Sequence, residues 1–149
     1  MKREKTKLFD KTNFINILLI FFVMKSFSEY SRIFTRIAIS LVFIWFGINQ
    51  IINPNNFMEY LSSFILLSTY AKTFIYLNGI FELILGAFLI LGLFTRITAL
   101  VLGINLIGII LGLGYNDVAV RDFGLMLITL AIFLGGKDKW CLENKIKRL

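Results

Sequence analysis

Hydrophobic residues in this chain come in long runs, and the charges gather between the runs and at the chain ends. The first clear run is IFTRIAISLVFIWFGINQII, residues 33–52, which stops at NPNN, where Pro54 cannot continue a helix. A second run covers residues 74–94 and closes on Thr95 and Arg96, read as a tight turn. A third covers 97–113 and ends at the turn signal GYND. The fourth covers 118–134 and ends at Gly135 and Gly136. Each is long enough, at about 1.5 Å rise per helical residue, to approach the ~30 Å hydrocarbon core of a bilayer. The pattern therefore predicts an all-α integral membrane protein, a bundle of four transmembrane helices.

Two further segments are less regular. Residues 14–24, FINILLIFFVM, are too short to span a bilayer. They read either as the apolar part of a signal peptide, with Ser26 and Ser28 near a cleavage point, or as an uncleaved helix lying in the membrane interface. The interfacial helix is preferred, because cleavage would leave Arg32 and Arg36 on the outer side. In FMEYLSSFILLSTY, residues 57–70, Phe57, Leu61, Phe64 and Ile65 recur at helical spacing, while Glu59 and serines interrupt them. That segment is predicted as a helix packed on the outer face. The organisation is a basic tail and short helix over 1–31, the four-span bundle over 32–136, and a basic tail over 137–149.

Charge adds orientation. The chain carries a formal net charge of +7. Eight of its Lys and Arg residues precede the first span or open it, Arg96 sits between the second and third, and five lie in the last tail. Such a bias predicts a multi-pass protein of the plasma membrane with both termini cytoplasmic. Its natural partner is the lipid bilayer, anionic head groups included, and not nucleic acid. Composition agrees, with 58% hydrophobic residues and a mean hydropathy of +0.80.

Candidate chemistry is sparse. There is no histidine and a single cysteine, Cys141, which excludes an intramolecular disulfide, a Cys/His zinc site and histidine-ligated haem. No phosphate loop, metal-ligand spacing or catalytic triad is present. What remains is a polar layer inside the spans. Glu82 lies fourteen residues from Arg96, Arg121 fifteen from Gly136, and Gln50 fourteen from Arg36. All three therefore lie roughly 21 Å above the basic boundary. Asn49 adjoins Gln50, and Asn78 sits one turn from Glu82 on the same face. Tyr115 and Asp122 approach from the third and fourth spans.

An isolated carboxylate in hydrocarbon is costly, so Glu82 is expected to be held, with Arg121 as its counter-charge. Asn105 is expected to bond across helices. Gly79 and Gly86 would let a neighbouring helix come close to Glu82, and GIILG, residues 108–112, is a weaker packing signal of the same kind. Trp45 and Phe46 are expected to pack, and Tyr60, Tyr70, Tyr76 and Trp140 to form interfacial belts. The layer itself reads either as a network fixing helix register, as a pocket for a quinone head group or small polar substrate, or as a proton relay.

Four segments together resemble the DoxX/DoxD-like family of small four-span membrane proteins: the opening span with GINQIINPNNF, then FELILGAFLILGLFTRITAL, VRDFGLMLITLAIFLGG and KWCLE. The likeness covers about residues 33–143. Glu82, Arg96, Arg121 and Asp122 fall on the family's charged positions, whereas Cys141 stands where serine is common. The resemblance implies a membrane subunit of a quinone-linked oxidoreductase complex, similar to part of a thiosulfate:quinone oxidoreductase. In that reading Glu82, Arg121, Asn78, Gln50 and Asp122 form the ligand-binding pocket. Quinone is the bound cofactor, none being covalent, and a redox partner protein or a homo-oligomer completes the assembly. A non-catalytic membrane anchor or assembly factor is the alternative, and a small-solute carrier a further one.

Overall fold

The computed structural model describes residues 2–61 and 63–146. Lys147 and Arg148 of the basic tail lie outside the described residues, as do Ser62 and the side chain of Phe64. The chain is all helical: α1 (Lys2–Ile52), a 3-10 helix (Pro54–Tyr60), α2 (Ser63–Leu66), α3 (Ala71–Leu91), α4 (Thr95–Leu113), α5 (Asp117–Gly135) and α6 (Leu142–Ile146). Among the described residues, four helices are long and apolar enough to cross a membrane: Phe22–Ile52 of α1, and α3, α4 and α5 in full. The protein is thus a multi-pass membrane protein with the four spans the sequence predicts.

The helix ends follow from local chemistry. Pro54 brings no backbone N–H, and α1 gives way there to the 3-10 helix. Gly92 takes the left-handed conformation at φ +69°, with Gly92 N–H donating to Leu89 O and Leu93 N–H to Phe88 O, which closes α3 tightly. The turn into α4 is accordingly Gly92–Phe94, and Thr95 and Arg96 already belong to α4. Asn116 caps α5, its side chain accepting from Ala119 N–H at 2.7 Å.

Two sequence expectations are corrected. Residues 14–24 do not form a separate helix; they run into the first span as one helix of 51 residues. The physical reason is the absence of any Gly or Pro between residues 1 and 46. Lys25 and the nearby serines read as a break, yet neither residue type stops a helix. Segment 57–70 is not one helix either. The 3-10 turn ends at Leu61, which is extended (φ −81°, ψ 143°), and only Ser63–Leu66 returns to α-helix. At seven residues the 3-10 stretch is already longer than that geometry usually sustains.

The spans pack as two main pairs, α1 on α3 and α4 on α5. Ile39, Phe43, Leu89, Ala99, Leu102, Leu106 and Ile132 join them in one core. Glycine makes the first pair close. A Cβ added at Gly47 would lie 2.6 Å from Gly79 O, and one at Gly79 would lie 2.9 Å from Gln50 Cβ. Gly86 likewise faces Ile44 and Ser40 of α1. The glycines flanking Glu82 therefore do admit a neighbouring helix, and it is α1. Nothing comes within 4 Å of a Cβ built at Gly108, the first glycine of the GIILG signal. Leu, Ile and Phe side chains are exposed along every span, as lipid contact requires.

Candidate functional site

The α1–α3 pairing brings Gln50, Asn78 and Glu82 together, because close glycine packing sets their two helices in direct contact. All five residues of the sequence-derived pocket, Glu82, Arg121, Asn78, Gln50 and Asp122, line one cavity of about 80 Å³. A single buried water needs only about 10–15 Å³. Phe43, Phe46, Phe57, Tyr60 and Phe74 supply much of the apolar wall. The 3-10 turn is the roof: Phe46, Phe57 and Tyr60 stack edge to face with centroids 6.3 and 5.9 Å apart. Tyr60 thus lines the cavity.

Glu82 is 3% exposed. Its carboxylate accepts from three side-chain amides: Gln50 Nε2 at 3.0 Å, Asn78 Nδ2 at 3.0 Å and Asn105 Nδ2 at 3.3 Å. Asn78 also donates to Gln50 Oε1 at 3.0 Å. Three helices, α1, α3 and α4, are therefore bonded through one carboxylate. The expected counter-charge is not its partner. Arg121 turns to Asp122, with Nε and Nη2 each 2.9 Å from Oδ1, and its guanidinium lies 4.8 Å from the Phe46 ring centroid. Matching depth put Arg121 and Glu82 in the same cavity, while helix rotation and the nearer carboxylate decided the pairing. Replacing Glu82 with leucine strands three amide groups, and about 1–3 kcal/mol of stability should be lost. Denaturant unfolding in detergent would check this, and an unchanged midpoint would contradict it.

Asn105 bonds across helices as expected. Two neighbours of the layer do not join it. Asn49 donates to Trp45 O of its own helix at 2.8 Å, and Tyr115 is almost fully exposed. Trp45 is exposed too and only edges Phe46, with centroids 5.0 Å apart.

At the opposite, basic end of the bundle lies a cluster the sequence reading missed. Arg36 is 2% exposed and donates from Nε to Asp138 Oδ2 at 2.6 Å. Its Nη1 reaches the Leu89 and Ile90 carbonyls, both at 2.6 Å, and so caps the C-terminal end of α3. Asp138 stands just past Gly136, level with the arginine in the first span; that shared depth was the available signal. Cys141 is also buried there, packed on Gly92 with its sulfur 3.3 Å from Thr95 Oγ1. The thiol is a packing element of this end.

The cavity combines a fixed carboxylate, a guanidinium with one flank on an aromatic ring, and apolar walls. Such a site can orient a flat polar ring or a small polar molecule, and it can donate from Arg121. Comparison with known proteins places the chain more firmly. No curated protein and no solved structure matches it. The DoxX family model matches residues 32–115, more than half the chain and the part that holds Gln50, Asn78, Glu82 and Asn105. This protein belongs to the DoxX family.

Proposed function

We propose that the chain is the membrane subunit of a quinone-linked oxidoreductase complex, with the cavity receiving the quinone head group. The observation that carries this reading is the cavity itself, where Arg121 and the amide-held Glu82 face aromatic walls within the membrane-spanning bundle. A quinone ring suits Phe46, Phe57 and Phe74, and its carbonyl oxygens suit the Arg121 guanidinium and the Tyr60 hydroxyl as donors. A partner protein would deliver two electrons which, with two protons, convert quinone to quinol; the chain's lack of histidine and its buried lone cysteine leave it no evident redox centre of its own. The same reading sets the protein in the plasma membrane with both termini cytoplasmic, on the bias of its Lys and Arg residues.

One observation favours a second reading. Three amides from α1, α3 and α4 hold the Glu82 carboxylate, as a network that fixes helix register would also show. A non-catalytic anchor or assembly factor follows from that. Kinetics on the complex purified in gentle detergent separates the two. Arg121→Gln and Glu82→Gln are expected to lower quinone reduction about tenfold or more in a complex that still assembles. Unchanged reduction would remove the site, and reduced complex yield without a kinetic defect would favour the anchor.

A further inference from the structure

A second cavity, of about 180 Å³, lies between α1 and α5 at the basic end. Its floor is buried: Arg36, Ile132, Gly136 and Asp138. Its mouth is exposed: Ser31, Arg32, Ala131 and Gly135. We propose that this cavity binds the phosphate of an anionic phospholipid, with Arg32 as the principal contact.

Charge is the first argument. The negative group in the cavity, Asp138, is already neutralised by Arg36 at 2.6 Å. Lys139 is paired with Glu29, and Lys137 with Glu143. Arg32 and Arg96 are, among the described residues, without a carboxylate partner within 4.0 Å. The Arg96 guanidinium lies against Gly136, which lines the same cavity, but Arg96 itself is not part of the lining. Among the described residues Arg32 makes only a long bond, Nη1 to Gly135 O at 3.4 Å, at the weak limit for hydrogen bonding. A phosphate oxygen would be a stronger, charge-assisted acceptor for that guanidinium.

Position is the second argument. The cavity sits at the end of α5, where Gly135 lies beside Arg32 and Arg36 of α1, and the end of a span lies at the level of the head groups. Basic pockets between transmembrane helices at that level are where anionic lipid head groups bind. Ala131 and Ile132 provide an apolar side wall toward the span, fit for the glycerol and the start of an acyl chain. Ser31 adds a hydroxyl at the rim. The Gly135 carbonyl and the C-terminal end of α5 oppose an anion, which is why the site depends on Arg32.

The test uses the full chain in nanodiscs of phosphatidylglycerol and phosphatidylcholine in equal parts, released for native mass spectrometry. The wild-type chain is expected to retain phosphatidylglycerol in preference. Arg32→Gln should lower that retention about fivefold or more, from the loss of one cation at the surface. Ala131→Trp, which blocks the mouth without changing charge, should lower it similarly, so a folding defect in one variant leaves the other to decide. Lys139→Gln, whose charge is already paired with Glu29, should retain the lipid as before. Equal retention of phosphatidylcholine, or wild-type retention in both cavity variants, would overturn the proposal. Displacement by millimolar inorganic phosphate would overturn its lipid part, and a second protein held on this face in place of lipid would overturn it outright.

Discussion

Arg36→Ala is expected to destabilise the folded chain by about 3–5 kcal/mol, the cost of leaving a buried charge without its partner. Both members of the pair are almost wholly enclosed, with side-chain exposures of 3% and 2%. Removal of the guanidinium strands Asp138 and takes the donor from the Leu89 and Ile90 carbonyls at once. It therefore loosens the contact of α1 with the end of α3 and with the segment after α5 together. Lysine should recover only part of the loss, since a single ammonium cannot reproduce the planar fork that serves Asp138 and two carbonyls. A paired change, Arg36→Leu with Asp138→Leu, should recover more than either single variant, because it leaves no unpaired charge. Denaturant unfolding in detergent micelles measures each of these variants. A loss below about 1 kcal/mol for Arg36→Ala would show that water or lipid reaches the pair and that the buried geometry is not what holds this end.

What could be read from the sequence and what could not divide along a physical line. The four spans were legible because bilayer thickness imposes a length and because charge is costly inside it. The polar layer was legible for a related reason: Gln50, Asn78, Glu82, Arg121 and Asp122 line one cavity because depth along a helix is fixed by residue count. Pairing within the layer was not legible. It depends on helix rotation, and neighbouring residues differ by about 100° around a 3.6-residue turn. Arg121 is thereby free to take Asp122 and the Phe46 face, while three neutral amides serve Glu82. Amides carry no charge and so attract little attention as partners for a carboxylate. The Arg36–Asp138 pair is not legible because in sequence Arg36 reads as a boundary charge and Asp138 as one acid in a basic tail, 102 residues apart. Residues 14–24 read as a separate piece because Lys25 and the serines look like a stop and are not one, whereas 57–70 reads as one helix because the helical spacing of its apolar residues hides the break at Leu61.

Gly47→Leu should cost about 3 kcal/mol or more and separate α1 from α3, the upper end of what overpacking a tight interior does. The contact at Gly47 is with backbone: a Cβ there would lie 2.6 Å from Gly79 O and 2.9 Å from Leu83 N, and neither atom can swing aside. Relief requires the two helices to part, and that would pull Gln50 from Glu82 and open the cavity between them. The loss should thus appear twice, as a lower unfolding midpoint and as loss of the Gln50–Glu82 contact, which a cross-link between cysteines placed on α1 and α3 would report. Gly103→Ala and Gly108→Ala form the control. Nothing lies within 4 Å of a Cβ at either position, so alanine should be neutral or should stabilise α4 by about 0.5–1 kcal/mol. If Gly47→Leu proved as mild as those two, close approach of α1 and α3 would not be what positions the carboxylate. The cavity would then have to be held by the amide bonds alone.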